Sequence, residues 1–312
     1  MAGRPRGEAQ QDGSSGTSGS TAAEPSFAPG PSKRAVSPGL HLVATPIGNV
    51  GDITLRALDV LRGADLIACE DTRVSAKLLD RYGIRTRRIA YHDHNAERVR
   101  PGLIRRLQEG GTIALIADAG TPLVSDPGFK LARAAIEEGL HVEALPGASA
   151  LLTALLLSGL PSDRFLFAGF LDAKSGARRN DLARLAAVPA TLLFYEAPQR
   201  LAATLADMAA MLGDRPAAVA RELTKLHEEV VRGMLAQLAE RYAETGPPRG
   251  EIVIVVGPPA HEATPEAELD RLLRQALDGA STRDAAQSVA AATGLPRRLV
   301  YARALALAAE RE

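Results

Sequence analysis

What this chain has least of is cysteine. Its 312 residues contain one, Cys69, which rules out an internal disulfide framework and fits a reducing, cytoplasmic setting. The apolar neighbourhood of residues 65–69, DLIAC, marks that thiol as structural and buried rather than nucleophilic. Net charge is missing too: Lys plus Arg and Asp plus Glu number 37 each, so no global field announces a polyanionic partner, and any basic surface has to be local. No apolar run approaches the roughly 20 residues of a membrane span. Nowhere are two glycines separated by a single residue, which removes the dinucleotide fingerprint of the Rossmann folds, and no Gly precedes a Lys, which removes the P-loop. No Gly-x-Ser-x-Gly elbow occurs, so serine hydrolase chemistry has no anchor. His92 and His94 offer two metal ligands without a third at recognisable spacing. The reading here is no metal, with that polar loop capping a helix at Asn95.

What is present is an alternation of short apolar runs and amphipathic stretches. The hydrophobic fraction of 46% is enough for two cores. Residues 1–38, rich in Gly, Ser, Pro and Ala and without an apolar h-region, are expected to be a disordered tail rather than a signal peptide. Residues 39–157 read as a first α/β domain, its regular alternation predicting a mostly parallel sheet covered on both faces. A hinge is expected at 158–163, and 158–258 form a second α/β domain. Two consecutive strands there have no helix between them, which predicts a mixed sheet. Residues 265–312 read as a C-terminal helical unit: helices, a Gly-containing turn and a basic helix start, either a helix-turn-helix-like piece or a surface hairpin.

The chain is organised around residues 112–128, TIALIADAGTPLVSDPG. Residues 113–117 have the texture of a strand buried on both faces. The loop after it presents backbone groups, hydroxyls and the carboxylates of Asp118 and Asp126 before a helix begins at Phe129. Ligands collect at the carboxyl ends of strands in open α/β sheets, so this loop is the candidate seat of a small molecule. Either aspartate has an alternative as a helix cap.

Eight motifs in fixed order carry a resemblance: TPIGN at 45–49, EDTR at 70–73, HDHN at 92–95, DAGTP at 118–122, SDPG at 125–128, PGAS at 146–149, FYEAP at 194–198 and RELTKLHE at 221–228. Over residues 40–257 the chain resembles the bacterial 16S ribosomal RNA ribose 2'-O-methyltransferases, the cytidine-modifying enzymes of the small subunit, within the tetrapyrrole methylase superfamily. It departs from their pattern at Leu123-Val124, where many carry a Gly, and at Ala148, where many carry a Pro. The resemblance implies a homodimer, 16S ribosomal RNA or the small subunit as partner, and S-adenosylmethionine held between two domains. Carried over by motif, the donor would touch Pro46 and Gly48, Asp118, Ala119, Gly120 and Thr121, Ser125, Asp126 and Gly128, Ser149 and Ala150, and Tyr195 and Leu223.

Asp118 or Asp126 would favour a cationic sulfur. A neutral ribose hydroxyl needs a proton acceptor, and Glu196, Glu222, Lys225 and His94 are the candidates, none singled out by spacing. Each has a structural alternative as an ion pair or cap. Arg73, Arg200 and Arg221 offer guanidinium forks for phosphate oxygens, with interdomain salt bridges as the alternative. Arg297, Arg298 and Arg303 offer a sequence-independent grip on RNA. Two rival readings stay open: a methylase of corrin or porphyrin precursors on the same fold, and a non-enzymatic RNA-binding module.

Overall fold

The computed structural model describes residues 36–259 and 266–309, so most of the tail expected over 1–38 lies outside the described residues. Residues 36–38 do not behave as tail. Val36 packs on the first core, and the Ser37 carbonyl accepts from the His41 ring at 2.9 Å.

In the first lobe Gly39–Val43 (β1), Leu55–Gly63 (α1), Leu66–Cys69 (β2), Thr72–Arg81 (α2), Arg88–Ala90 (β3), Ala96–Gln108 (α3), Thr112–Ile116 (β4), Phe129–Glu137 (α4) and Val142–Leu145 (β5) alternate as the sequence pattern predicts. Local chemistry starts the helices. The Thr54 hydroxyl accepts from the Ala57 N–H ahead of α1, and the Asp71 carboxylate accepts from the Arg73 N–H ahead of α2. Asn95 does not cap α3. Its side chain accepts from the His92 N–H and donates to the Ala90 carbonyl, tying the polar loop back onto β3.

The five strands are all parallel, in the order β3-β2-β4-β1-β5. Every residue of β4 is buried. Leu58, Leu61 and Leu79 cover one face of the sheet, and Leu103, Leu107 and Leu131 the other. Each such side chain contributes about 1.5–3 kcal/mol of burial. Cys69 is fully buried, and burial raises its thiol pKa, consistent with a structural role.

The order places β1 beside β4 although two strands and three helices separate them in the chain. Their carboxyl ends meet at a topological switch point, where a crevice opens. The loops leaving them are stitched together: the Thr45 N–H donates to the Gly120 carbonyl at 2.9 Å, and the Gly120 N–H returns the bond at 3.0 Å.

The second lobe comprises Ala150–Ser158 (α5), Phe165–Phe170 (β6), Ser175–Leu185 (α6), Thr191–Glu196 (β7), Leu201–Leu212 (α7), Pro216–Arg221 (β8), Glu229–Met234 (β9), Leu235–Thr245 (α8) and Ile252–Val256 (β10). Its sheet is mixed, as expected, in the order β6-β7-β10-β8-β9, with only β6 and β7 parallel. Helix α5, placed in the first domain by the sequence reading, packs here. Leu151, Ala154 and Leu155 lie against Leu193, Ala218, Val253 and Val255. Ile47 joins that cluster from the first lobe, with Val124 and Ala148 packed at its edge. The opposite face is covered by Leu182 of α6, Leu205 and Met208 of α7, and Leu235 and Leu238 of α8.

Glu266–Leu277 (α9), Thr282–Thr293 (α10) and Arg297–Ala309 (α11) form a small bundle around Leu273, Val289, Val300 and Leu307. Ser281 caps α10, and Gly294 ends it in the left-handed conformation. Arg303 grips both oxygens of Asp270 at 2.6 and 2.5 Å, joining α11 to α9.

Candidate functional site

The crevice is a cavity of about 400 Å³, within the range of small-molecule pockets. Its first-lobe wall is Ile47, loop residues 118–121 and 124–126, and Ser149; its second-lobe wall is Ala150, Phe170, residues 195–198, Leu223 and residues 250–253.

The central loop is bent into shape at some cost. Leu123 and Ser125 hold φ of 72° and 63°, in the left-handed region that glycine enters freely and other residues enter at about 1 kcal/mol or more. Leu123 therefore adopts, with a side chain, a conformation that glycine would enter without strain. Its own packing against the first core offsets the strain. The loop closes at Gly128, where a Cβ would stand 2.6 Å from both Leu115 and Leu123.

The electrostatics are one-sided. The Asp118 carboxylate accepts from the Asp71 N–H at 3.1 Å, and among the described residues neither it, Asp126 nor Glu70 forms an ion pair. Burial, reinforced by Glu70 and Asp118, raises the Asp126 pKa to about 6. Burial, then Asp118 and Asp93, raises that of Glu70. The Tyr195 phenol is pushed up to about 12 by burial and then by Asp126 and Glu251. Neither aspartate caps α4: Gly128 stands at the cap, with no side chain bonding to it. The cavity thus offers apolar walls, backbone amides and carbonyls, and uncompensated negative charge, a set that suits a ligand carrying a positive centre.

Of the residues expected to touch a donor, Asp118, Ala119, Gly120, Thr121, Ser125, Asp126, Ser149, Ala150, Tyr195 and Leu223 line the cavity. Pro46, Gly48 and Gly128 do not; Ile47 lines it instead. Gly48 faces the second lobe so closely that a Cβ would fall 2.4 Å from Lys225 Cγ.

The candidate proton acceptors are scattered. Glu196 is buried on the second-lobe wall with both oxygens engaged: it accepts from the Ala197 N–H at 2.7 Å and the Thr204 hydroxyl at 2.6 Å, and pairs with Arg200 at 3.1 Å. Glu222 lies just outside the wall, at a tight turn where it and Thr224 hold φ of 50° and 65°. Lys225 Nζ bridges Glu222 at 2.7 Å and Glu251 at 2.8 Å. Burial works against the lysine's charge, but those two bonds prevail and raise its pKa, while the Lys225 bond lowers that of Glu222, so both are ionised. His94 is exposed, 6.0 Å edge-on from His92, and lies outside the wall. Among the described residues no group of three or more His, Cys, Asp or Glu is arranged to hold a metal.

The arginines divide in the same way. Arg73 is exposed and held by Asp71 at 2.8 Å. Arg200, besides Glu196, donates to the Leu171 carbonyl at 2.6 Å. Arg221 binds Glu229 at 3.2 Å and the Arg249 carbonyl at 3.1 Å, so these two brace their own lobe. Arg297 and Arg298 stand exposed at the start of α11, whereas Arg303 is spent on Asp270.

Sequence reasoning missed Val124, Phe170, Ala197, Pro198 and the segment 250–253. That segment enters because Ile252 of β10 sits opposite Glu196 on one side and Arg221 on the other, a long-range pairing with no local signature.

Comparison with known proteins agrees with this fold. Residues 39–239 match the family model of the tetrapyrrole (corrin/porphyrin) methylases, and residues 263–308 match a model described as an RsmI C-terminal HTH domain. The chain is 54% identical over 275 residues to the ribosomal RNA small subunit methyltransferase I of Mesorhizobium japonicum, covering 88% of this chain and 94% of that one. To the protein of the same name from Erythrobacter litoralis it is 51% identical over 272 residues, covering 87% and 96%. Among solved structures, a uroporphyrin-III C-methyltransferase from Thermus thermophilus complexed with S-adenyl homocysteine superposes with a TM-score of 0.50 at 23% identity, over 70% of this chain and 97% of that one. At that identity the likeness is one of fold.

Proposed function

The chain belongs to the tetrapyrrole (corrin/porphyrin) methylase family, among the ribosomal RNA small subunit methyltransferase I proteins, and from that premise we propose that it 2'-O-methylates the ribose of a cytidine in 16S ribosomal RNA, using S-adenosylmethionine. The observation that carries the reading is the acid-lined, apolar-walled cavity where β1 and β4 end and the second lobe closes over them. We place the reaction in the cytoplasm, on a homodimer, with the small ribosomal subunit or its RNA as partner; among the described residues no helix is long and apolar enough to cross a membrane.

Bound in that cavity, S-adenosylmethionine supplies a methyl group already activated by a sulfonium. What remains for the protein is to align, desolvate and accept a proton. Asp118 and Asp126 lend the negative field, and the apolar side chains of Ile47, Leu223, Ile252 and Val253 keep water out. Aligning the ribose hydroxyl supplies several of the roughly 7–11 kcal/mol available from positioning. Proton acceptance falls to the carboxylates at the second-lobe rim, where Glu251 lines the cavity and shares Lys225 with Glu222. Glu196, saturated by Arg200 and Thr204, supports the wall. Arg297 and Arg298 at the exposed start of α11 grip RNA phosphates.

The test is incubation of the protein with radiolabelled S-adenosylmethionine and small subunits from a strain lacking the gene. Label in the RNA at a ribose is expected. Label only in added corrin or porphyrin precursors would favour the tetrapyrrole branch, and none in either would reduce the protein to an RNA-binding module.

A further inference from the structure

The chain has no Trp and only 6 Phe and 5 Tyr, yet three of those rings meet at the cavity. Phe167 lies edge-on to Tyr195 at 4.9 Å, and Phe170 is tilted against Tyr195 at 5.4 Å. Phe167 and Tyr195 are packed at the edge of the interlobe core, whereas Phe170 belongs to none of the hydrophobic clusters among the described residues. The residue is 59% exposed although it lines the cavity. The backbone puts it there: the register of β6 on β7 breaks between Phe167 and Phe170, and Gly169 takes φ of 68°, a bulge that re-aims the last side chain of the strand.

An aromatic ring braced at a tilt by a second ring and more than half exposed at the cavity suits a flat, unstacked partner. Resting on the function proposed above, we infer that Phe170 is the platform on which the base of the target nucleotide stacks. A ribose inside a stacked helix does not reach a donor buried between two lobes, so the nucleotide must leave its stack. The Phe170 ring replaces the neighbour it loses. Stacking on an aromatic face is tolerant of base identity, so Phe170 is a positioning residue that holds the nucleotide without selecting cytosine.

The test uses the full chain and unmodified small subunits, with Phe170→Ala, Phe170→Tyr and Phe170→Trp. Phe170→Ala is expected to raise KM for small subunits roughly tenfold, the usual cost of removing a stacking ring. It should weaken their co-sedimentation with the protein by the same factor, with kcat within about threefold, as for lost uniform binding. S-adenosylmethionine affinity by calorimetry should fall by clearly less than small-subunit affinity, since Phe170 is only one residue of the donor cavity's wall, and the Tyr and Trp variants should restore KM. Unchanged KM in Phe170→Ala, an equal loss of donor affinity, or failure of both aromatic variants to restore binding while still folded would each overturn the stacking role. A wild type that transfers no label to small subunits sinks the parent reading instead, so the two failures are told apart.

Discussion

The two walls of the cavity are both acidic and differ in how the acids are held. On the second-lobe wall Glu196 has Arg200, and Glu251 shares Lys225 with Glu222 just outside it. On the first-lobe wall Asp118 and Asp126, with Glu70 behind them, form no ion pair among the described residues, and the pKa values of Asp126 and Glu70 are pushed upward. Paired carboxylates complete the fold by themselves. Unpaired ones crowded together are a cost that a bound cation relieves, and such residues mark functional sites. One wall is therefore electrostatically finished without a ligand, its rim carboxylates still open to take a proton, and the other is finished by its ligand.

The largest expected effect falls on the finished wall. Glu196→Ala takes away the only carboxylate paired with Arg200 among the described residues, leaves a buried Thr204 hydroxyl without its acceptor, and should cost about 3 kcal/mol in urea unfolding. Full stability with transfer abolished would move Glu196 from support to chemistry and erase the contrast. Next comes the other wall: Asp118→Asn combined with Asp126→Asn should weaken S-adenosylmethionine about thirtyfold by calorimetry while leaving the melting temperature unchanged or raised. The amide oxygen that Asp118→Asn introduces can still accept from the Asp71 N–H, so the fold loses nothing there. A drop in stability matching that of Glu196→Ala would make the walls alike.

The same contrast has a pH signature. Asp126 keeps its proton up to about 6 in the folded chain, against an ordinary value of 3.8. Between those values the folded state binds a proton that the unfolded state has lost, so the donor-free protein loses stability as pH rises through that window and regains it as pH falls. Donor affinity runs the other way, rising severalfold from pH 5 to 7 as the carboxylate ionises. Asp126→Asn should flatten both curves in paired calorimetric series. Slopes that survive the substitution would assign the titration to Glu70 or another neighbour.

Much of this was written locally. Alternating apolar runs specified a parallel sheet, and two successive strands specified a mixed one. The Gly, Pro and Asp loop after β4 announced the cavity because it leaves the carboxyl end of a buried strand, where ligands of open α/β sheets collect. What escaped was nonlocal. The first half of α6, SGARRN, has no apolar stripe; Arg178 holds it by a buried pair with Asp207 at 2.6 Å on α7. The second-lobe wall depends on β10 lying between β7 and β8, which no stretch of ten residues encodes. Phe170 was hidden by Gly169, which reads as the end of a strand and proves to be its bulge.

The smallest effect is expected where the two walls touch. Gly48 leaves the first lobe so close to the RELTK turn that an added Cβ would meet Lys225 Cγ at 2.4 Å and the Thr224 hydroxyl at 3.0 Å. A free lysine would swing aside at almost no cost. Lys225 is tethered by Glu222 and Glu251, and the Asn49 N–H already donates to Thr224 at 3.1 Å, so the turn has little room to retreat. Gly48→Ala should therefore cost about 1 kcal/mol in stability, with Lys225 as the reason. In a Lys225→Ala background the obstructing Cγ is gone, and Gly48→Ala should become nearly silent. A double-mutant cycle by urea unfolding reads that coupling directly. Additive costs would mean that the walls meet at Gly48 without leaning on each other, and that the lysine bridge belongs to the second lobe alone.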